Sequence, residues 1–171
     1  NKAWQQSNHV AAIAFVLAHK KSTLDPEQAL LAGMLHNIGI LPLIIRISTI
    51  PVFKDKPELL TKVADIVIPK LYQSAGKLIL DSWNFSQVLS QIPITHTKIN
   101  CESSGELTLN ELIALAYELD KLKDINTPEK IPNKLESTDV FRKIWQNLST
   151  ATAELSGLAQ EISELKVEMM S

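Results

Sequence analysis

Residues 31 to 39 read Leu31-Ala32-Gly33-Met34-Leu35-His36-Asn37-Ile38-Gly39, and the reading of the chain turns on this stretch. It sets a histidine and an amide side by side in apolar surroundings, between two glycines. Just ahead, Asp25-Pro26-Glu27-Gln28 is a helix entry. Asp25 can accept from free amides, Pro26 suits the first helical position, and Gln28 can close a capping box. A helix is predicted from there to about His36, punctuated afterwards by Gly39 and Pro42. The run from Leu30 to Ile50 is long enough on paper to cross a bilayer. His36, Asn37, Gly39, Pro42 and Arg46 interrupt it, so the expected structure is a buried helix-turn-helix.

Helix signals continue on both sides. Between Ala3 and Lys20, the residues Trp4, Ala11, Ala14, Leu17 and Ala18 make one apolar stripe. Downstream, Asp55-Lys56-Pro57-Glu58 opens a helix through Leu59, Leu60, Val63 and Ala64, and Pro69 is predicted to start another that ends near Trp83. Ser86 is placed to cap the next, which Pro93 should kink or shorten just before His96. Asn100 to Gly105 reads as loop, and Thr108-Leu109-Asn110-Glu111 as a capping box. Strand signals are weak throughout, because the β-branched residues do not alternate. Trp4 and Trp83, on apolar helix faces, are expected in the core.

The segment from Lys123 to Ser137 holds Pro128 and Pro132 among polar residues and reads as a connecting loop. Beyond it Phe141, Ile144, Leu148, Ala151, Leu155, Leu158, Ile162, Leu165 and Met169 recur at three- and four-residue spacings. The expected fold is therefore all-α: a bundle of five to seven helices over residues 1–122, a loop over 123–137, and a long amphipathic helix over 138–171. The seam at Leu148, Leu155, Leu158, Ile162 and Leu165 has two readings, a helix lying on its own domain or a coiled-coil contact that makes a homodimer.

Composition excludes several classes. Of the 171 residues 45% are hydrophobic and 21% charged, which rules out a disordered or low-complexity chain. The 17 basic residues nearly balance 19 acidic ones, so neither nucleic acid nor an anionic membrane is an expected partner. Cys101 is the single cysteine, which allows no internal disulfide and no cysteine-rich zinc site and suits a reducing, cytoplasmic setting. No signal peptide opens the chain, and the lack of an initiating Met suggests a piece of something longer.

The stretch from Leu31 to Gly39 resembles the L-x-G-x-L-H-D-I-G signature of the HD superfamily, and especially of its HD-related output domain, HDOD, found in bacterial signalling proteins. Trp4-Gln5-Gln6-Ser7 resembles the W-x-H-S segment that precedes it in that family. Tyr72 to Trp83, with Gly76, Ile79 and Leu80, is similar to H-x-x-x-G-x-x-L-L-x-x-W. Asn84-Phe85-Ser86 then resembles N-L-P, and Ile92 to Thr97 resembles A-I-x-x-H-H. The likeness covers about Trp4 to Leu119. The family's domain usually carries a further helical region ahead of this point, to which nothing here corresponds.

An active HD phosphohydrolase gathers histidines and aspartates around divalent metal, which lowers the pKa of an attacking water. By resemblance, Gln6 stands where the first His belongs, Asn37 replaces the Asp of the doublet, Tyr72 replaces the next His, and Tyr117 falls near the final Asp. Only His36 and His96 survive, with Thr97 in place of a second late histidine. Neutral amides are poor donors to a hard cation. The resemblance thus implies a noncatalytic regulatory module without cofactor, joined to a sensor or receiver domain or controlled by a signalling partner. A divergent phosphohydrolase acting on nucleotides or cyclic dinucleotides is the alternative. His9, one turn beyond Gln6, and Asp120, one turn beyond Tyr117, would be the residues to rescue it.

Overall fold

The computed structural model describes residues 2–99, 105–122, 131 and 133–171; it is helical, with no strand among them. Two compact units divide the chain, one made of residues 1–34 and 95–171 and the other of 35–94. The C-terminal helix belongs to the first unit. Residues 123–130 and 132, most of the predicted loop, lie outside the described residues, as do Cys101 and the rest of 100–104.

The first unit is built around α1 (Lys2–Lys21), whose residues Val10 to Ala14 and Val16 to Ala18 are almost completely buried. Four alanines in that run keep its surface low, so neighbouring helices approach closely. α2 (Pro26–Leu35) uses this directly: a Cβ added at Gly33 would stand 2.4 Å from Cα of Ala11. Asp25 caps α2 as its sequence predicts, with Oδ1 accepting from the amide of Glu27 at 2.9 Å. α3 (Ile40–Ser48), α4 (Pro57–Ser82) and α5 (Gln87–Thr95) follow. α6 (Leu109–Asp120) begins on a complete capping box between Thr108 and Glu111, and packs along α1. Six α-helices thus lie among the described residues between 2 and 122, within the predicted range.

The C-terminal seam does not form one helix. After the single turn α7 (Asn133–Glu136), α8 (Asp139–Ile144) stops at Trp145, and α9 (Leu148–Glu168) starts afresh. Trp145 is extended and buried, and its indole N–H donates to Glu154 at 2.9 Å. Asn147 then caps α9 by accepting from the amide of Thr150. A good cap and a buried indole outweigh the continuity of the heptad pattern. α9 lies on α1, joined by Lys20 to Glu161 at 3.5 Å and by Lys21 to Glu154.

In the second unit, α3 and α4 pack together as a helical pair. The apolar run of residues 26–48 has the length of a membrane span but is two helices parted by a turn at 36–39. Gly39 lies against α4, where a Cβ would fall 2.1 Å from the Tyr72 carbonyl oxygen. Pro69 does not start a helix, as its sequence suggests; it sits inside α4. Both Pro69 and Asp65, whose carbonyl loses its helical donor, face solvent, where water can serve that oxygen. Asn84 ends α4 in the left-handed region at φ 57°, and Phe85 N–H donates to Leu80 O at 3.0 Å. Pro93 shortens α5 as expected, and the helix ends at Thr95. Trp4 and Trp83 are not core residues: they are 51% and 60% exposed, and Trp145 is the buried tryptophan.

Candidate functional site

The first unit brings Gln6 and His9 of α1 against the last turn of α6. Gln6 Nε2 donates to Asp120 Oδ2 at 2.9 Å, and His9 Nδ1 stands 2.7 Å from Asp120 Oδ1. An ionised carboxylate only accepts, so Nδ1 of His9 carries the shared proton. The cluster is mostly sheltered: the side chains of His9 and Asp120 are 24% and 13% exposed. Both residues lie one helical turn from positions where the family resemblance expects ligands, and the α6 residue held by Gln6 is Asp120 rather than Tyr117.

Tyr117 occupies the preceding turn of α6. The edge of His96 meets its ring, with centroids 4.8 Å apart at 89°, and the Lys121 ammonium lies 4.4 Å from the ring centroid. His96 itself is buried. Burial pushes the Tyr117 hydroxyl above the usual tyrosine range, and the carboxylates of Glu118 and Asp120 push it the same way. Asn8, fully buried on α1, has no hydrogen-bond partner among the described residues for either side-chain atom. The sequence reading passed over it; the one signal is a polar residue beside the apolar run that begins at Val10.

In the second unit, His36 and Asn37 occupy the turn between α2 and α3, and both are buried. Tyr72 is half-buried on α4, and its backbone carbonyl is the atom against which Gly39 packs. The two glycines of the signature therefore have packing reasons of their own. Gly33 admits α1 and Gly39 admits α4.

In each unit taken by itself, the residues at these positions do not fit a divalent cation. Gln6, Asn37 and Tyr72 are neutral, and both oxygens of Asp120 are already engaged by α1. Among the described residues, no three His, Cys, Asp or Glu side chains come together. The interaction seam is likewise occupied within the chain: Leu155 and Ile162 are 1% and 2% exposed on the side of α9 that meets α1, with Leu148, Leu158 and Leu165 partly covered.

Helices alone among the described residues, with a histidine-amide doublet at the junction of α2 and α3, fit an HD-like all-α fold. The HDOD domain family matches residues 1–99, more than half of the chain, and the chain belongs to that family. A solved protein of Shewanella amazonensis SB2B, named a putative phosphohydrolase, shares the fold with a TM-score of 0.59 at 21% identity. The match covers 95% of this chain and 61% of that one, so this chain spans less than two thirds of its neighbour's length. No curated protein matches the sequence.

Proposed function

We propose that this chain acts as a noncatalytic regulatory module of bacterial, cytoplasmic signalling, working by binding a signalling protein or a fused sensor or receiver domain. The observation that carries this reading is the closure of Asp120 by Gln6 and His9. The carboxylate at the end of α6 spends its oxygens on joining two helices, and the first family histidine is an amide that serves the same join. A bundle whose polar centre is committed to holding helices together can still change packing when a partner engages its surface.

The second reading is a divergent phosphohydrolase acting on nucleotides or cyclic dinucleotides. It draws on the same pair, since a carboxylate that orients an imidazole is a common support for both metal ligation and proton transfer. Hydrolysis of bis-p-nitrophenyl phosphate and of a cyclic dinucleotide, assayed with manganese, iron or nickel added, separates the two. The regulatory reading expects no turnover above the metal-only background. Turnover that disappears in both His9→Ala and Asp120→Ala would establish the enzyme instead.

A further inference from the structure

The unit of residues 35–94 leaves an apolar surface open. On α3, Ile47 is buried, yet Leu41, Ile44 and Ile45 on its other sides are 54%, 42% and 54% exposed. Ile50 and Val52 continue the exposure through the 310 turn Pro51–Phe53, and Leu59 and Ile66 add to it on α4. Seven aliphatic side chains of this unit are thus 40% to 60% exposed.

Charge selects the occupant. On α4, Lys62 and Lys70 alternate with Leu59 and Ile66 at spacings of three and four, so cations and aliphatics share one face. Lys77 is paired with Asp81, whereas the other five cations, Arg46, Lys54, Lys56, Lys62 and Lys70, and the three carboxylates Asp55, Glu58 and Asp65 form no ion pair in this unit, an excess of two positive charges. Two copies meeting through this same face would set those cations against each other. The occupant is therefore acidic. Residues 35–94 hold six basic and four acidic residues, and the remainder of the chain holds eleven and fifteen. The exposed C-terminal turns of α9 combine that acidity with apolar surface. Glu164, Val167 and Glu168 share a face, Met170 adjoins it, and Val167 and Met170 are 61% and 47% exposed.

We infer that the face formed by α3 and α4 receives the acidic C-terminal turns of α9 from a second copy of this chain. The contact is heterologous, a basic face of one copy against an acidic helix end of the next, so it closes as a ring or propagates. It does not use the buried seam of α9.

Sedimentation equilibrium of the whole chain over rising protein concentration tests this, with a charge exchange between two exposed sites. The expected result is a mass that climbs above the monomer value and an association that weakens as salt screens the pairing. Lys62→Glu with Lys70→Glu, and separately Glu164→Lys with Glu168→Lys, should each weaken self-association about tenfold or more, the loss of some 1.4 kcal/mol. An equimolar mixture of the two variants should restore it, because each altered face then meets a complementary helix end. A monomer at every concentration, association that neither variant changes, or a mixture that fails to recover would each overturn the inference.

Discussion

His9 on the first helix and Asp120 on the sixth meet at 2.7 Å across 111 residues of chain, and Gln6 takes the other oxygen of the same carboxylate. The carboxylate thus ties two helices that are far apart in sequence. A double-mutant cycle over His9→Ala and Asp120→Ala measures it. The expected coupling is about 1–2 kcal/mol in urea unfolding, the range for a charge-assisted and largely sheltered pair. A coupling below about 0.3 kcal/mol would show that the contact does not hold in solution.

The glycines of the signature carry a second prediction. Gly39→Ala would place a methyl group 2.1 Å from a carbonyl oxygen and 2.6 Å from an amide nitrogen, and neither backbone atom can step aside. A loss of about 2–4 kcal/mol is expected. Gly157 in α9 has nothing within 4 Å of an added Cβ, so Gly157→Ala should gain about 0.5–1 kcal/mol from helix propensity alone. Thermal or urea unfolding of both variants checks the pair, and equal effects would contradict the packing.

A third prediction separates the two meanings of the C-terminal seam. Leu155 is buried against the chain's own helices, so Leu155→Ala should cost about 2–4 kcal/mol of unfolding free energy. Leu155→Glu should abolish cooperative folding. A folded Leu155→Glu protein that has merely lost a dimer would mean the seam works between copies.

The alkaline limb of the stability curve follows from Tyr117. Its native proton is held more tightly than in the unfolded chain, because burial and two neighbouring carboxylates disfavour the phenolate. The folded state is at full advantage below the ordinary tyrosine value of about 10 and loses stability as pH climbs through the raised native value. Tyr117→Phe removes that titration, so its unfolding free energy should fall less steeply above about pH 10 than the parent's. Parallel curves would contradict the assigned environment.

Local rules were readable where one side chain decides the outcome. Asp25 and Thr108 each bring a short acceptor to free helix amides, and both caps are present. The doublet at His36 and Asn37 likewise sits at a helix junction, because Gly33 and Gly39 must meet other backbones. Sequence spacing fails where solvent or a distant residue decides. Pro69 is tolerated inside α4 because that side of the helix is wet, and Trp145 breaks the heptad because its indole finds Glu154. Periodicity also overstates coverage: Trp4 and Trp83 lie on apolar stripes, yet both are more exposed than covered. Whether Tyr117 or Asp120 meets α1 is a difference of one helical turn, which a single sequence does not define.

On the regulatory reading, Gln6, His9 and Asp120 hold two helices together rather than a metal ion. The most direct test is the metal content of protein purified with manganese, iron and nickel supplied and then passed through gel filtration. The account predicts far less than one bound ion per chain, with His9→Ala and Asp120→Ala leaving that content unchanged. Stoichiometric metal that survives filtration and is lost in either variant would contradict it, and would make His9 and Asp120 ligands.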